Sequence, residues 1–190
     1  MPVRLEPLAL RHAPAYQALA ADARVAATTL VPHPYPPGGA VRHVRCAAGA
    51  RDRGEAYSFA VVADEGGAGE DRPAVDAGGA GTVVGSCSLK HVDRGAGQAE
   101  VGYWIGVPFW GRGYATAAVR LAARFAFDEL GLDRVVAEVL EANPASARVL
   151  EKAGFEVVGR FDNPHARHLG APTVLYDLAR PARARRASAG

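Results

Sequence analysis

Only two cysteines occur in 190 residues, and Cys46 and Cys87 stand 41 positions apart, so they form no metal-ligand pattern. Cys87 lies in an apolar run and reads as a small core residue rather than a nucleophile, and nothing near it resembles a Cys–His catalytic pair. No stretch approaches the roughly 20 apolar residues that span a bilayer, so no membrane role is expected. The opening MPVRLEPLAL lacks a basic head followed by an apolar run, so no signal peptide is expected and a cytoplasmic location follows. A strongly basic body is also missing. The formal charge is +2, but the segment Arg180–Gly190 holds four of the 22 basic residues and no acid. Without it the 20 acidic residues outnumber the remaining 18 basic ones. The tail is expected to be a disordered, solvated end, with a nucleic-acid contact the weaker reading. What remains is 49% hydrophobic and 22% charged, a globular composition of one-domain length.

Strands are expected at Val3–Pro7, Tyr57–Asp64, Thr82–Val92, Gln98–Gly106, Arg134–Glu141, Glu156–Phe161 and Thr173–Ala179. Helices are expected at Pro14–Asp22, Val41–Arg51, Gly113–Leu130 and Pro144–Ala153. Leu30–Ala40 has four prolines and two glycines and must be a loop. Glu65–Gly81, with six glycines in seventeen residues, reads as a flexible hairpin loop. It lacks the Lys-Ser/Thr ending of a phosphate loop. In Gly113–Leu130 the residues Thr116, Arg120, Arg124 and Asp128 form a narrow polar stripe on an otherwise apolar helix, which must lie against a sheet along most of its girth. No internal repeat is visible. The order is strands first and then β-α-β-α-β-β, which makes a single mixed α+β domain over residues 1–180, with the tail at 181–190.

The chemistry concentrates where a strand runs through Gly111-Arg112-Gly113 into the apolar helix. The glycines let the backbone turn with its amides uncovered. The helix start over Gly113–Thr116 presents amides without intrahelical partners, and with the helix dipole they suit a pyrophosphate. Arg112 adds charge from the side.

The segment AEVGYWIGVPFWGRGYAT, Ala99 to Thr116, resembles the cofactor-binding core of the GNAT superfamily of N-acetyltransferases, especially its RimJ/RimL-like branch. Thirty residues after Gly113, Asn143-Pro144-Ala145-Ser146 and the following RVLEKAGF resemble that branch's Asn-x-x-Ser…Glu-Lys-x-Gly-Phe signature. Weaker echoes lie in VRLEPLALRHA and VPHPYP. The resemblance implies a twisted mixed sheet of six to seven strands flanked by helices and splayed between the fourth and fifth strands. It implies acetyl-CoA as co-substrate, no metal, and transfer of the acetyl group to a primary amine through a tetrahedral intermediate. The acceptor would be a small molecule or a protein N-terminus, and a homodimer is possible as in relatives. Ile105, Gly106 and Val107 would offer backbone to the pantetheine arm, with an amide near Ile105 facing the oxyanion. Arg112, Gly113, Tyr114, Ala115 and Thr116 would hold the pyrophosphate, beside Asn143.

Glu100 is the implied base for the amine, on the same strand face as Gly102 and Trp104. A strand-end glutamate can equally be exposed or paired with an arginine, and a water relay can replace a single carboxylate. Ser146 would return a proton to the thiolate, although a serine at that place is also an ordinary capping or surface residue. Asn143 before Pro144 is equally a helix N-cap. His33, Tyr35 and Trp104 are the acceptor-contact candidates. His165 and His168, three apart, have no third ligand and read as loop residues. Four positions depart from the family's pattern: Trp110 for Gln or Arg, Ala117 for glutamate, Leu150 for the tyrosine acid, and His12 for an acidic residue. Two rivals stand beside this reading. A dinucleotide-binding fragment would use Gly111-x-Gly113 and Glu138 or Glu141, but its third glycine is Thr116. The other is a catalytically degenerate acyl-CoA-binding regulatory protein of the same fold.

Overall fold

The computed structural model describes residues 3–64, 81–164 and 169–181. Residues 65–80, where a hairpin loop is expected, His165, His168 and residues 182–190, where a solvated tail is expected, lie outside the described residues. Seven strands form one sheet: β1 (Val3–Pro7), β2 (Tyr57–Ala63), β3 (Thr82–Asp93), β4 (Gln98–Ile105), β5 (Arg134–Leu140), β6 (Glu156–Asp162) and β7 (Pro172–Ala179). Their order is β1-β2-β3-β4-β5-β7-β6. Every neighbouring pair is antiparallel except β4 with β5. The helices are α1 (Ala13–Ala20), α2 (Ala23–Ala26), α3 (Gly39–Asp52), α4 (Tyr114–Asp128) and α5 (Pro144–Ala153).

The sheet is covered on both faces. Strand alternation sends neighbouring side chains to opposite sides: Cys87 on β3 reaches the Ala118 carbonyl of α4, while Ser86 lies beside Tyr16 of α1. Hence α1 and α3 lie on one face and α4 on the other, with α5 packed beside it. Cys87 is sealed in this core, and burial pushes its thiol up to about 12, which suits packing and not nucleophilic chemistry. In α4 the residues Ala118, Val119, Ala122, Ala123, Ala126 and Phe127 are buried. Arg120, Arg124 and Asp128 are exposed and Thr116 is half-buried, as the stripe requires. The helix ends two residues earlier than expected, since the Leu130 amide reaches back to Phe125 and, past the left-handed Gly131, the Leu132 amide reaches back to Ala126.

His12, which stands where relatives carry an acid, does an acid's work. Its Nδ1 accepts the Ala9 amide at 3.1 Å, closing the first turn of the short helix Leu10–His12, and its Nε2 meets Glu6 at 3.0 Å. Both α2 and this turn are single turns that no hydrophobic period announces.

Strands β4 and β5 pair only through Gln98, Ala99 and Glu100 against Arg134, Val135 and Val136. Beyond that point β4 stays with β3 and β5 stays with β7, so the two diverge and open a gap. Gly85 keeps β3 tight against β4 through this stretch, where an added Cβ would sit 2.2 Å from the Trp104 carbonyl oxygen.

Candidate active site

A cavity of about 870 Å³ occupies the gap and joins both faces of the sheet. On one face it is lined by the Gly111–Thr116 turn, Asn143, Ser146, Arg148 and Lys152. On the other it is lined by Tyr16, Tyr35, His43, Trp104, Lys90 and Glu100.

The glycine turn has a backbone geometry that suits an anion. Gly111 and Gly113 have φ of 75° and 79°, and an added Cβ at either would meet nothing within 4 Å. Conformation requires these glycines, and the space over them is open. The first internal bond of α4 runs from the Ala117 amide to the Gly113 carbonyl, so the amides before it project from the helix end. Arg112 is joined by Arg148 and Lys152, one turn apart on α5. That cationic pair lies outside the motif, although its four-residue spacing on a helix capped by Asn143 is visible in the sequence.

The gap edge of β4 follows from register. The Gly106 amide donates to the Val84 carbonyl at 2.8 Å, and antiparallel alternation then turns the amides of Trp104 and Gly102 to β3 as well. Tyr103 and Ile105 turn theirs to the gap. In the expected backbone set Ile105, Gly106 and Val107, several groups are already engaged. Gly106 is committed to the sheet, the Ile105 carbonyl accepts the Trp110 indole at 2.6 Å, and the Val107 carbonyl accepts the Trp110 amide at 3.2 Å. The Ile105 amide faces the gap, as does the backbone of Tyr103. Trp110 thus has a structural role at the position where the family has Gln or Arg.

Across the gap, the Tyr103 phenol reaches the first turn of α5, lying 2.7 Å from Ser146 Oγ and 3.2 Å from the Ser146 carbonyl. Burial pushes this phenol well above the usual range, and the Ser146 bond only partly opposes that. The phenol remains protonated at any working pH. Leu150, standing where many relatives have an acid tyrosine, is fully buried. Asn143 caps α5 by accepting the Ser146 amide at 3.1 Å, so its carbonyl is engaged and its amide nitrogen is the group left for a ligand.

On the opposite face Glu100 is buried and paired, though not with arginine. Lys90 Nζ lies 2.6 Å from Oε1 and His91 Nδ1 lies 2.9 Å from Oε2. Trp104 stands edge-on to Tyr16 with ring centroids 4.9 Å apart, and Tyr35 and His43 approach the same Tyr16 ring at 6.2 and 5.1 Å. Burial pushes the Tyr16 phenol up. Tyr35 and Trp104 line the cavity together with Tyr16 and His43, whereas His33 is exposed and outside the lining.

Residues 3–156 match the family model described as an acetyltransferase (GNAT) domain. Among curated proteins, the chain is similar to the probable N-acetyltransferase YjcK of Bacillus subtilis, with 46% identity over 78 residues, 40% of this chain and 43% of that one. It is also similar to the putative ribosomal N-acetyltransferase YdaF of the same organism, with 36% identity over 99 residues, 52% of this chain and 54% of that one. The chain thus spans about half the length of the curated relatives it matches. Among solved structures, Mycobacterium smegmatis RimJ in complex with CoA-disulfide superposes with a TM-score of 0.78 at 22% identity, covering 93% of this chain and 81% of that one. With the family model spanning the sheet as far as β6, the gap between β4 and β5 and the glycine turn into α4, the chain belongs to the GNAT family of acetyltransferase domains.

Proposed function

We propose that this protein transfers the acetyl group of acetyl-CoA to a primary amine. One observation carries the reading: a continuous cavity runs through the sheet, with a glycine turn and the start of α4 on one side and a buried carboxylate on the other. Acetyl-CoA would supply an activated thioester. Arg112, Gly113, Ala115, Thr116, Arg148 and Lys152 would hold its pyrophosphate, with Tyr114 shaping the turn. Tyr103 and Ile105 would meet the pantetheine arm at the gap edge.

Glu100 would take a proton from the acceptor, a role supported by the second lone pair that each carboxylate oxygen keeps beyond its bond to Lys90 or His91. The Ile105 amide faces the gap, where an oxyanion would develop. Ser146 is the proton donor toward sulfur. When the Tyr103 phenol donates to Ser146 Oγ, the serine hydroxyl proton is left to point into the gap. The phenol that Leu150 does not provide thus reaches the same locality from β4. The acceptor would sit among Tyr16, Tyr35, His43 and Trp104, in the aromatic half of the cavity.

Thiol release from acetyl-CoA, measured with phenethylamine, spermidine and a serine-led tetrapeptide, tests this reading. Turnover of any one is expected. Tight acetyl-CoA binding with no turnover on any would leave instead a regulatory acyl-CoA-binding protein.

A further inference from the structure

We propose that His91 carries the acceptor's proton out of the cleft, receiving it from Glu100 and delivering it to bulk water. The inference rests on Glu100 as the base. An amine arrives mostly as an ammonium ion. Its first N–H proton goes to the base, the nitrogen lone pair forms the new bond to the acetyl carbon, and the C–S bond breaks. The second proton leaves nitrogen and ends on sulfur. Each turnover therefore leaves one proton on the base, which must lose it before the next.

Glu100 is only 8% exposed, so its own contact with solvent is small. Its two oxygens look in different directions chemically. Oε1 meets Lys90, which lines the cavity, and as an ammonium has donors and no acceptor. Oε2 meets Nδ1 of His91, whose side chain is 69% exposed and lies outside the cavity lining. The carboxylate thus bridges cleft and exterior, with an imidazole on the outer side. An imidazole accepts at one nitrogen and releases from the other near neutral pH. At rest Nδ1–H donates to the carboxylate. Once Glu100 is protonated, solvent exchange moves the ring to its Nε2–H form. Nδ1 then takes the proton from Glu100 and Nε2 gives its own to water, which restores the resting ring.

The backbone shows that this contact is built. Consecutive strand residues face opposite sides of a sheet, yet Lys90 and His91 hold the same carboxylate. They do so because β3 loses its register with β4 between Lys90 and Asp93, and His91 adopts φ of +51°, the left-handed region that costs a histidine strain. A regular strand would have turned His91 away from Glu100.

The test compares phenethylamine with β,β-difluorophenethylamine, whose amine arrives largely neutral and so leaves no net proton on the base. In His91→Ala, kcat on phenethylamine is expected to fall about tenfold, and added imidazole should restore it. On the difluorinated amine the loss should stay within about twofold. Equal losses on both amines, or no loss on phenethylamine, would overturn the proposal. Glu100→Gln separates the two claims: its full activity would sink the base itself, while an inactive Glu100→Gln beside a fully active His91→Ala would sink only the proton route. Should wild type turn over neither amine, nitrogen NMR of the His91 ring decides. The Nδ1–H tautomer is expected in wild type and lost in Glu100→Met, and a ring indifferent to that change would refute the contact.

Discussion

Tyr103 joins two functions in one residue: its backbone faces the gap and its phenol closes the gap's inner end against Ser146. Removing only the hydroxyl in Tyr103→Phe is expected to lower kcat about tenfold, or about 1.4 kcal/mol, by freeing the serine rotor. The KM for acetyl-CoA should change little, and steady-state kinetics with both substrates varied will show whether the loss lies in kcat. Ser146→Ala should cost more, about a hundredfold. Gly113→Glu places a carboxylate where the proposed pyrophosphate would sit, and calorimetry should show acetyl-CoA binding lost. Its stability should fall by only about 1 kcal/mol, from the left-handed backbone, because nothing stands within 4 Å of the new Cβ. Of these residues, Ser146 and Gly113 were legible as motif members. The role of Tyr103 was not, because its partner lies 43 positions away across an opening that only the sheet's divergence creates.

Punctuation decided how well the elements could be read. The bounds of α5 match the expectation at both ends, since Asn143-Pro144 opens it and Gly154, at φ of 99°, closes it. Asn143→Ala removes the cap bond to Ser146 and should cost about 1 kcal/mol in chemical denaturation, besides loosening the serine that the cap orients. Strand β1 was likewise found as read, whereas α2, four residues long, leaves no periodic trace. The irregularity in β3 was hidden for a different reason. Lys90, His91 and Glu100 are polar residues near strand ends, where any local reading exposes them. Only the register of β3 on β4 gathers them around one carboxylate.

At the scale of the whole molecule, acid sensitivity should originate at the N-terminal edge. Glu6 is partly buried, which alone would raise its pKa, but Arg11, His12 and Arg4 outweigh this and hold it at about 2 against an ordinary 4.5. Its contribution to stability is full above 4.5 and is lost as pH falls toward 2. Burial lowers the His12 pKa, with Glu6 opposing, so the folded state favours neutral imidazole. That contribution is full above 6.5 and declines below it, as the unfolded chain takes up the proton first. Thermal midpoints should therefore begin to fall below 6.5 and fall again below 4.5, with Glu6→Gln flattening the more acidic limb.

The three-residue seam between β4 and β5 has one more consequence. The meander β1–β4 is sewn by local antiparallel pairs, while β5, β7 and β6 form their own ribbon. Few ladder bonds cross between them, so the amides of the two halves should exchange with heavy water at separable rates. A molecule seated along the opening would act as mortar between these cooperative units. Saturating acetyl-CoA should slow exchange in both and bring their protection toward a common value, a change that mass spectrometry of deuterium uptake can follow peptide by peptide.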